Sequence, residues 1–505
     1  IYFEYKLYRA NRTTKMNADH FDAFWSPNYP ILAEAGVRLQ VFKDRLLPRS
    51  NFPFELFRTL DANVSILKIY PGITAQHILT FTKINNVKAI ILETYGAGNV
   101  PSDPSFLGAI EKLIALGVIV INVTQCMGGE VTMGHYKTSN ALLEMGLEPN
   151  TDYGITGVTA FIRGQNPGPL IALRADIDGL PVTEKLNLPF SSKVKTTYQG
   201  NEVGVMHACG HDAHIAVLLG AASFLSRNTD KLNGDILLIF QPAEEGAPEG
   251  EEGGAELMLK EGIFDAEKPD AIFGMHVSNA KHGQIWTKPG PFMASAEAYR
   301  ITIEGKQTHG SRPWNGVDPI VVAADVVSSM QTIVSRRLNL LESQAVVTVG
   351  IMKAGTRNNI IPEDSEIMGT IRTFDPKLRA QVYDEIRQIA AGVAVGTGAE
   401  IDVEFDVGGF YPVTFNNEDL VERFSPTLRE ATDNKFYINN SPSTGAEDFS
   451  FFSQEIPGMY FWLGVNAPGV MEAAGNHSPY FVVDDGALDE GLKSLVYLVL
   501  DYPNK

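Results

Sequence analysis

The stretch VMHACGHDAH, from Val205 to His214, concentrates side chains that can do chemistry: three histidines, an aspartate and one of the two cysteines of the chain. A single residue separates Cys209 from His211, and a turn or a strand end at this spacing can direct both side chains to one point. Thiolate and imidazole are ligands that zinc and related borderline ions prefer. The stretch therefore indicates a metal site.

Further candidate ligands stand in distant segments, directly after apolar strands or in glycine-rich turns. Glu244 and Glu245 follow the apolar run DILLIF, His276 lies in GMHV, and His477 lies in GNHSPYF. One of these histidines alone would more simply be a loop or core residue, whereas their joint placement favours a metal centre. A thiolate, three imidazoles and a carboxylate exceed the ligand number of a closed structural zinc site. We therefore predict two divalent ions that share ligands, with zinc and manganese as the candidates.

The adjacent glutamates at 244 and 245 point to opposite sides if the segment is extended, because successive side chains alternate along a strand. One carboxylate can then bind metal while its neighbour faces the substrate. A metal ion lowers the pKa of a bound water from near 16 to about 7, and a carboxylate beside it can accept the proton and return it to a leaving amine. The pair therefore predicts hydrolysis of an amide bond.

Two aspartates in the segment RADIDGLP have alternative roles. Asp176 and Asp178 could orient ligand imidazoles by accepting their hydrogen bonds, or they could cap a turn before Pro181. His214 follows His211 by three residues, and we place it on the face of the following helix, outside the metal site. Spacing alone leaves both alternatives open for the aspartates.

The composition predicts a globular protein that acts on small molecules. The 505 residues suggest two to four domains, and 44% apolar with 20% charged residues is typical of a folded chain. The net charge of −19, spread along the chain, argues against nucleic acid or an anionic membrane as partner. Cys126 and Cys209 stand in unlike contexts, which favours a reducing compartment. With neither a long apolar run nor a signal-peptide pattern, we predict a cytoplasmic location.

The pattern of strands and helices that must position these residues changes along the chain. From Val64, short apolar runs alternate with amphipathic helices, which predicts a parallel sheet with crossover helices. After Gly146 come strands whose carboxyl ends carry polar residues, and residues 289–405 follow the strand and helix order of a small α+β domain. We predict the domains 1–146, 147–288, 289–405 and 406–505, with the second and fourth forming one unit.

From about Leu147 to the end, the sequence resembles the amidohydrolase branch of the M20 metallopeptidase clan, which includes hippurate, N-acyl-amino-acid and auxin-conjugate hydrolases. The resemblance is carried, in order, by ALRADIDGLP, VMHACGHDAH, IFQPAEEG, FGMHV, GKQTHGSRP, NNIIPE, GTIRTF, GAEDFSFF and NHSPYF. It implies an α/β fold in which a mixed-sheet catalytic domain carries an inserted α+β satellite domain that commonly pairs two subunits. A homodimer or a higher homo-oligomer is therefore expected.

The resemblance also implies roles for particular residues. The implied ligands of two divalent metal ions are Cys209, His211, Glu245, His276 and His477. Glu244 would serve as general base and acid. His309, in QTHGSRP, matches a position that can reach a neighbouring active site and polarise the scissile carbonyl, with a histidine on the dimer surface as the alternative. Asn359 matches a position associated with the substrate carboxylate.

Residues 1 to about 146 resemble a different family, the second half of a type I cytoplasmic L-asparaginase, as a partial α/β parallel-sheet domain. The motifs are LYRANRTTK, FDAFWSPNYPILAEAGV, ILKIYPG, IILETYGAGNVP and INVTQCMGGEVTMGHYKTSNALLEMG. These enzymes attack with a threonine of a TGGT segment, which this sequence lacks. Thr124 and Cys126 correspond to a regulatory asparagine site of some members, although a buried strand end with a small thiol is the simpler interpretation.

Three functions follow from these patterns. The first is metal-dependent hydrolysis of N-acyl amino acids by a metal-activated water, with Glu244 as general base and acid. The second is threonine-dependent hydrolysis of asparagine, which requires the catalytic half that the resemblance does not cover. The third is a non-catalytic role in which residues 1–146 sense asparagine or mediate assembly.

Overall fold

The computed structural model describes residues 1–10, 13–15, 24–26, 29–36, 38–46, 63–70, 72–81, 87–95, 100, 104–125, 145–247 and 251–504. The chain forms two compact units, Ile1–Tyr136 and Lys137–Lys505. The change of pattern in the sequence predicts the corresponding boundary at residue 146. Within the described ranges, no helix combines the length and the apolar character that crossing a membrane requires.

The first unit contains short antiparallel strands followed by a parallel sheet. Its elements are β1 (Tyr2–Phe3), β2 (Lys6–Leu7), β3 (Thr14–Lys15), β4 (Phe24–Trp25), β5 (Ala33–Ala35), β6 (Leu39–Val41), β7 (Val64–Lys68), α1 (Ala75–Thr80), β8 (Ala89–Thr94), α2 (Pro104–Ala115) and β9 (Ile119–Thr124). The antiparallel sheet has the order β1-β2-β5-β6, β3 pairs with β4, and the parallel sheet has the order β7-β8-β9. Ile78 of α1 and Phe106 of α2 pack on Ile90 and Leu92 of β8. The strands that begin at Val64 therefore form the predicted parallel sheet, and helices connect them.

The second unit contains a catalytic domain that is interrupted by an inserted domain. Its elements up to the insertion are β10 (Val158–Ile162), β11 (Asn166–Asp176), β12 (Lys195–Tyr198), β13 (Asn201–Gly204), α3 (His211–Ser226), β14 (Asn233–Gln241), α4 (Gly254–Lys260), β15 (Ala271–Ser278), β16 (Ile285–Thr287) and β17 (Gly290–Met293). After the insertion it continues with β24 (Thr414–Asn416), α7 (Glu418–Ala431), β25 (Phe436–Ile438), α8 (Phe449–Glu455), β26 (Gly458–Gly464) and α9 (Leu488–Asp501).

A mixed seven-stranded sheet forms the centre of this catalytic domain. Its order is β10-β14-β11-β15-β26-β16-β25, and β14, β11, β15 and β26 are mutually parallel. Successive residues of β11 face opposite layers, with Leu173 packed in the core that contains α3, α7 and α9 and Ala172 packed in the core that contains α4 and α8. Burial on both faces explains why the central strands are continuous apolar runs.

The insertion is an α+β satellite domain. Its elements are β18 (Ala296–Glu304), β19 (Thr308–His309), α5 (Pro319–Thr332), β20 (Ala345–Ala354), β21 (Ile360–Ile361), β22 (Asp364–Thr373), α6 (Pro376–Thr397) and β23 (Glu400–Tyr411). The antiparallel sheet has the order β20-β22-β18-β23, and α5 and α6 cover one face. On β18 the buried residues alternate, so that Tyr299, Ile301 and Ile303 face those helices. The predicted fold class, a mixed-sheet catalytic domain with an inserted α+β domain, is confirmed.

Candidate metal centre

The carboxyl ends of β11, β14 and β15 bring the predicted site residues to one edge of the seven-stranded sheet. Asp176 ends β11, Glu244 and Glu245 follow β14, and His276 lies near the end of β15. Parallel neighbouring strands end at the same edge, where the loops of an open α/β sheet form a crevice. Segments far apart in the sequence therefore meet at this edge.

A glycine turn presents Cys209 and His211. Gly210 has a φ of 88° and caps α3, whose first residue is His211. A Cβ atom on Gly210 would lie 2.3 Å from Cγ2 of Val277 in β15. The turn therefore requires a residue that accepts a left-handed backbone and has no side chain. The spacing of Cys209 and His211 allowed either a turn or a strand end, and the structure shows a turn.

Asp178 orients the ring of His211. Nδ1 of His211 lies 3.0 Å from Oδ1 of Asp178, while its buried Nε2 makes no hydrogen bond with any residue that the structure describes and lies 3.8 Å from Oε2 of Glu244. Burial opposes a charge on His211, but Asp176 and Asp178 outweigh it and raise the pKa of the imidazole to about 9. Of the two alternatives for Asp178, the structure shows the contact with an imidazole.

Asp176 and His214 form a buried pair behind the cluster. Asp176 accepts a 2.8 Å hydrogen bond from Arg174 and contacts Nδ1 of His214, whose Nε2 accepts a 2.9 Å hydrogen bond from the backbone N–H of Val277. Burial lowers the pKa of His214 to about 4, which keeps the imidazole neutral. His214 does lie on α3 as predicted, but it is buried against these groups and joins the network around the site, which spacing alone did not indicate.

His276 directs Nε2 into the cluster. Its Nδ1 lies 2.7 Å from the carbonyl oxygen of Val277, and Nε2 lies 3.4 Å from Sγ of Cys209. Burial lowers the pKa of His276 to about 4. The ring packs against Trp462 of β26 with 4.8 Å between centroids. A neutral imidazole whose Nδ1 donates to a carbonyl has an unprotonated Nε2, the form that binds a metal ion.

Cys209 also lies beside a further candidate ligand, His477. Its Sγ lies 3.2 Å from Nε2 of His477, and that nitrogen lies 2.8 Å from Oε1 of Glu245. The backbone N–H of His477 donates to the carbonyl of Ala208 at 2.7 Å. Asn476, which sequence analysis missed, donates to the carbonyl oxygen of Cys209 at 2.9 Å. The GNHSPYF segment is thereby attached to the cysteine turn.

Glu244 is buried beside the cluster in an acidic environment. Only 5% of its surface is exposed, and burial together with Glu447 and Asp448 raises the pKa of its carboxyl well above the ordinary value. For Glu245, burial works in the same direction, but the contact with His477 outweighs it and lowers the pKa. The two neighbouring carboxylates therefore differ in proton affinity. They do not point to opposite sides as an extended segment would direct them, because both residues lie in a turn and an oxygen of each lies within 4.8 Å of the other.

A second layer of charge lies beneath the site. The buried Arg174 forms ion pairs with Asp176, Glu447 and Asp448 at 2.8 to 2.9 Å, and Tyr460 donates to Glu447 at 2.8 Å. The sequence patterns of RADIDGLP and GAEDF did not predict this contact between the two segments. The signal was present, because unpaired charged residues are rare within apolar strands.

The donor set fits divalent metal ions. Ligand atoms lie within 4.8 Å of one another in the groups Cys209, His211 and His276; Cys209, Glu245 and His477; and His211, Glu244 and Glu245. Burial and the carboxylates of Glu245 and Glu244 raise the pKa of the Cys209 thiol, so a thiolate there requires a nearby cation. The unpartnered Nε2 of His211 faces the same space. Both the raised pKa of the thiol and the position of this nitrogen are expected if metal ions bind the two donor groups that share Cys209.

The structure places His309 and Asn359 together in the satellite domain. His309 of β19 pairs with Ile360 of β21, and the carbonyl of Asn359 accepts a 2.8 Å hydrogen bond from Gly310. Both side chains are exposed, and Nδ1 of His309 is 2.8 Å from the hydroxyl of Ser311. Among the described contacts of this chain, none joins His309 or Asn359 to the cluster around Cys209.

Of the two residues considered for an asparagine site, Thr124 is the last residue of β9, where it pairs with Thr94. Cys126 lies outside the described residues.

The layered catalytic domain, its α+β insertion and the cluster of sulfur, nitrogen and oxygen donors are those of a hydrolase that acts on amide bonds. Residues 172–501 match the model of peptidase family M20/M25/M40, and the chain belongs to this family. Thermostable carboxypeptidase 2 of Saccharolobus solfataricus is 37% identical over 382 residues, which are 74% of this chain and 93% of that protein. N-acetylcysteine deacetylase of Bacillus subtilis is 40% identical over 334 residues, 66% of this chain and 81% of that protein.

The YXEP protein of Bacillus subtilis is a similar solved structure, described as a dinuclear metal binding peptidase from the M20 family. It is 33% identical, with a TM-score of 0.59 and coverage of 73% of this chain and 91% of that one. Two other models match the first unit and the start of the second: residues 63–156 match the glutaminase/asparaginase C-terminal domain, and residues 1–47 match the N-terminal asparaginase domain. The resemblance to asparaginases is confirmed, and the second match refines it, because the first 47 residues match the N-terminal domain.

Proposed function

We propose that the protein is a metal-dependent amidohydrolase that cleaves the amide bond of N-acyl amino acids. The observation that carries the proposal is the position of Cys209, whose sulfur belongs to two groups of metal-ligand atoms next to the buried Glu244. A structural zinc site would need neither a shared thiolate nor a carboxylate with a raised pKa at its border. Both features are expected where ions and a proton acceptor act on one substrate.

In this proposal the five ligands of two divalent ions, zinc or manganese, are Cys209, His211, Glu245, His276 and His477. The dinuclear M20 relative and the geometry of the donor groups support this assignment. When bound, the ions supply a water of lowered pKa and a Lewis acid for the scissile carbonyl. Asp178 keeps Nε2 of His211 directed at the site, and Val277 does the same for His276.

Glu244 serves as the general base and acid. Its carboxyl is buried, lies 3.8 Å from His211 and has a raised pKa, which makes the carboxylate a stronger proton acceptor than an exposed glutamate. It accepts a proton from the attacking water and returns it to the leaving nitrogen, which must leave as an amine. The contact between Glu245 and His477 lowers the pKa of the neighbouring carboxyl, which suits a ligand instead.

His309 and Asn359 are proposed to complete the site of a neighbouring subunit in a homodimer or higher homo-oligomer. Both are exposed, and His309 pairs with Ile360, the residue after Asn359, so the two side chains are available to another chain. His309 would polarise the scissile carbonyl, and Asn359 would bind the substrate carboxylate. The satellite domain would supply the interface between subunits.

Similar proteins named as a deacetylase of N-acetylcysteine and as a carboxypeptidase support a small N-acyl amino acid as the substrate. The charge of −19 argues against nucleic acid as a partner. We also propose a cytoplasmic location, because a thiol ligand must stay reduced.

Elemental analysis of the purified protein, combined with turnover of a panel of N-acyl amino acids, tests the proposed function. We expect two equivalents of metal per chain and loss of turnover on chelation, whereas turnover without metal would contradict it.

The asparaginase matches favour a second function for the first unit, the binding of asparagine without hydrolysis. The TGGT segment that carries the asparaginase nucleophile is not in this sequence. Titration calorimetry with asparagine and an assay for ammonia release test this idea together. Binding without ammonia is expected, and release of ammonia would instead support threonine-dependent hydrolysis.

A further inference from the structure

A tyrosine at the end of the satellite domain contacts the loop that carries the two glutamates. The hydroxyl of Tyr411 donates a 2.6 Å hydrogen bond to the backbone carbonyl oxygen of Glu244. Tyr411 is the last residue of β23 and pairs with Ala296, the first residue of β18. The contact therefore lies where the chain crosses between the satellite and catalytic domains.

The other end of the same peptide group is held by Asp178. The carbonyl of Glu244 and the N–H of Glu245 belong to one planar unit, and this N–H donates to Oδ2 of Asp178 at 3.0 Å. With Tyr411 on the oxygen and Asp178 on the nitrogen, the plane cannot rotate without loss of a hydrogen bond. The Cα atoms of both glutamates flank this plane, so its orientation determines the directions in which the two carboxylates leave the backbone.

The loop needs such external contacts because its own conformation is strained. Ala243, directly before Glu244, has a φ of 54°, in the left-handed region that a residue with a Cβ atom rarely adopts. Within the loop, Gly246 donates to the carbonyl of Ala243 at a length of 3.3 Å. The shorter hydrogen bonds from outside the loop therefore hold the peptide group in place.

We propose that Tyr411 is a positioning residue that aligns the carboxylate of Glu244 with the reacting groups by holding this peptide. The inference rests on the proposed function, in which Glu244 transfers the proton. Tyr411 acts through the backbone and not on the substrate, so its hydroxyl contributes to kcat and not to KM. Because it belongs to the last satellite strand, a movement of the satellite domain would also move the proton acceptor.

The test removes this hydroxyl from the full, metal-loaded protein with Tyr411→Phe. We expect kcat to fall about tenfold, the effect of one hydrogen bond, with KM and metal content unchanged. Tyr383→Phe is the matched control, because the hydroxyl of Tyr383 donates to Asp406 at 2.8 Å within the satellite domain. Unchanged kcat in Tyr411→Phe, or an equal loss in Tyr383→Phe, would overturn the inference.

A double variant shows whether Tyr411 acts through Glu244. In a Glu244→Gln background, Tyr411→Phe should cause no further loss, because two changes in one unit are not additive. The same tenfold loss in both backgrounds would mean that Tyr411 acts elsewhere and would refute its positioning role. Full turnover of Glu244→Gln alone would instead refute the proposed function and with it the basis of this inference.

Discussion

The cluster around Cys209 and the pair formed by His309 and Asn359 differ in how their side chains are held. In the catalytic domain, His211 and His276 are buried, and each has one ring nitrogen fixed by an oxygen of the same chain. In the satellite domain, His309 is exposed and its Nδ1 is bonded only to nearby Ser311 among the described contacts. The cluster is thus ordered within one chain, whereas the satellite pair is suited to contacts from outside it.

The largest effect is expected from removal of the shared sulfur. Cys209→Ala takes one ligand from both donor groups, so we expect loss of both ions and a decrease in turnover of about 10⁴-fold or more. Elemental analysis and steady-state kinetics measure the two quantities. The matched variant Asn359→Ala should keep its metal, and a metal content near two in Cys209→Ala would contradict the shared site.

The second-largest loss of turnover is expected from a change at Glu244, which distinguishes proton transfer from metal binding. Glu244→Gln preserves the shape of the side chain but removes the proton acceptor, so we expect turnover to fall about 10³-fold with both ions retained. Metal content and kcat should be measured on one preparation. If Glu244→Gln lost metal as Cys209→Ala does, Glu244 would be a ligand and the assignment of the two glutamates would be wrong.

A smaller effect on turnover is expected from His309 of the satellite domain. His309→Ala should lower kcat about 10²-fold without a change in metal content, because it removes one group that stabilises the oxyanion. Mixing this variant with Glu244→Gln should restore about a quarter of wild-type turnover if subunits exchange at random, since one site of each mixed dimer is complete. Absence of recovery in a mixture shown to contain mixed dimers would mean that His309 does not act across subunits.

The smallest effect concerns stability in the satellite domain. Glu297 of β18 is 3% exposed, and burial raises its pKa to about 7, with Arg379, Arg372 and Asp406 nearby. A carboxyl whose folded pKa is raised binds a proton more tightly when folded, so its contribution to stability decreases as pH rises from about 4.5 to about 7. We expect Glu297→Gln to increase the free energy of unfolding by about 2 kcal/mol at pH 8. Chemical denaturation at pH 5 and pH 8 measures this, and equal effects at both values would contradict it.

The parts of the site that follow strands could be predicted from the sequence, because parallel strands end at one edge and their polar residues must meet there. Glu244, Glu245 and His276 are of this kind. The contacts of His214 with Val277 and of Asn476 with Cys209 could not be predicted, since they depend on how a helix and a distant turn pack on the sheet. The ion pairs of Arg174 likewise join segments that no local pattern relates.

The path of the chain at the insertion makes the satellite domain a replaceable module. Met293, at the end of β17, pairs with Thr414, at the start of β24, so the chain leaves the catalytic domain and returns to it at adjacent points of one two-stranded sheet. A short hairpin between these two residues would keep all seven strands of the central sheet. Evolution can therefore exchange or reshape the inserted module, and with it the surface that carries His309 and Asn359, without rebuilding the sheet whose edge holds the candidate metal centre.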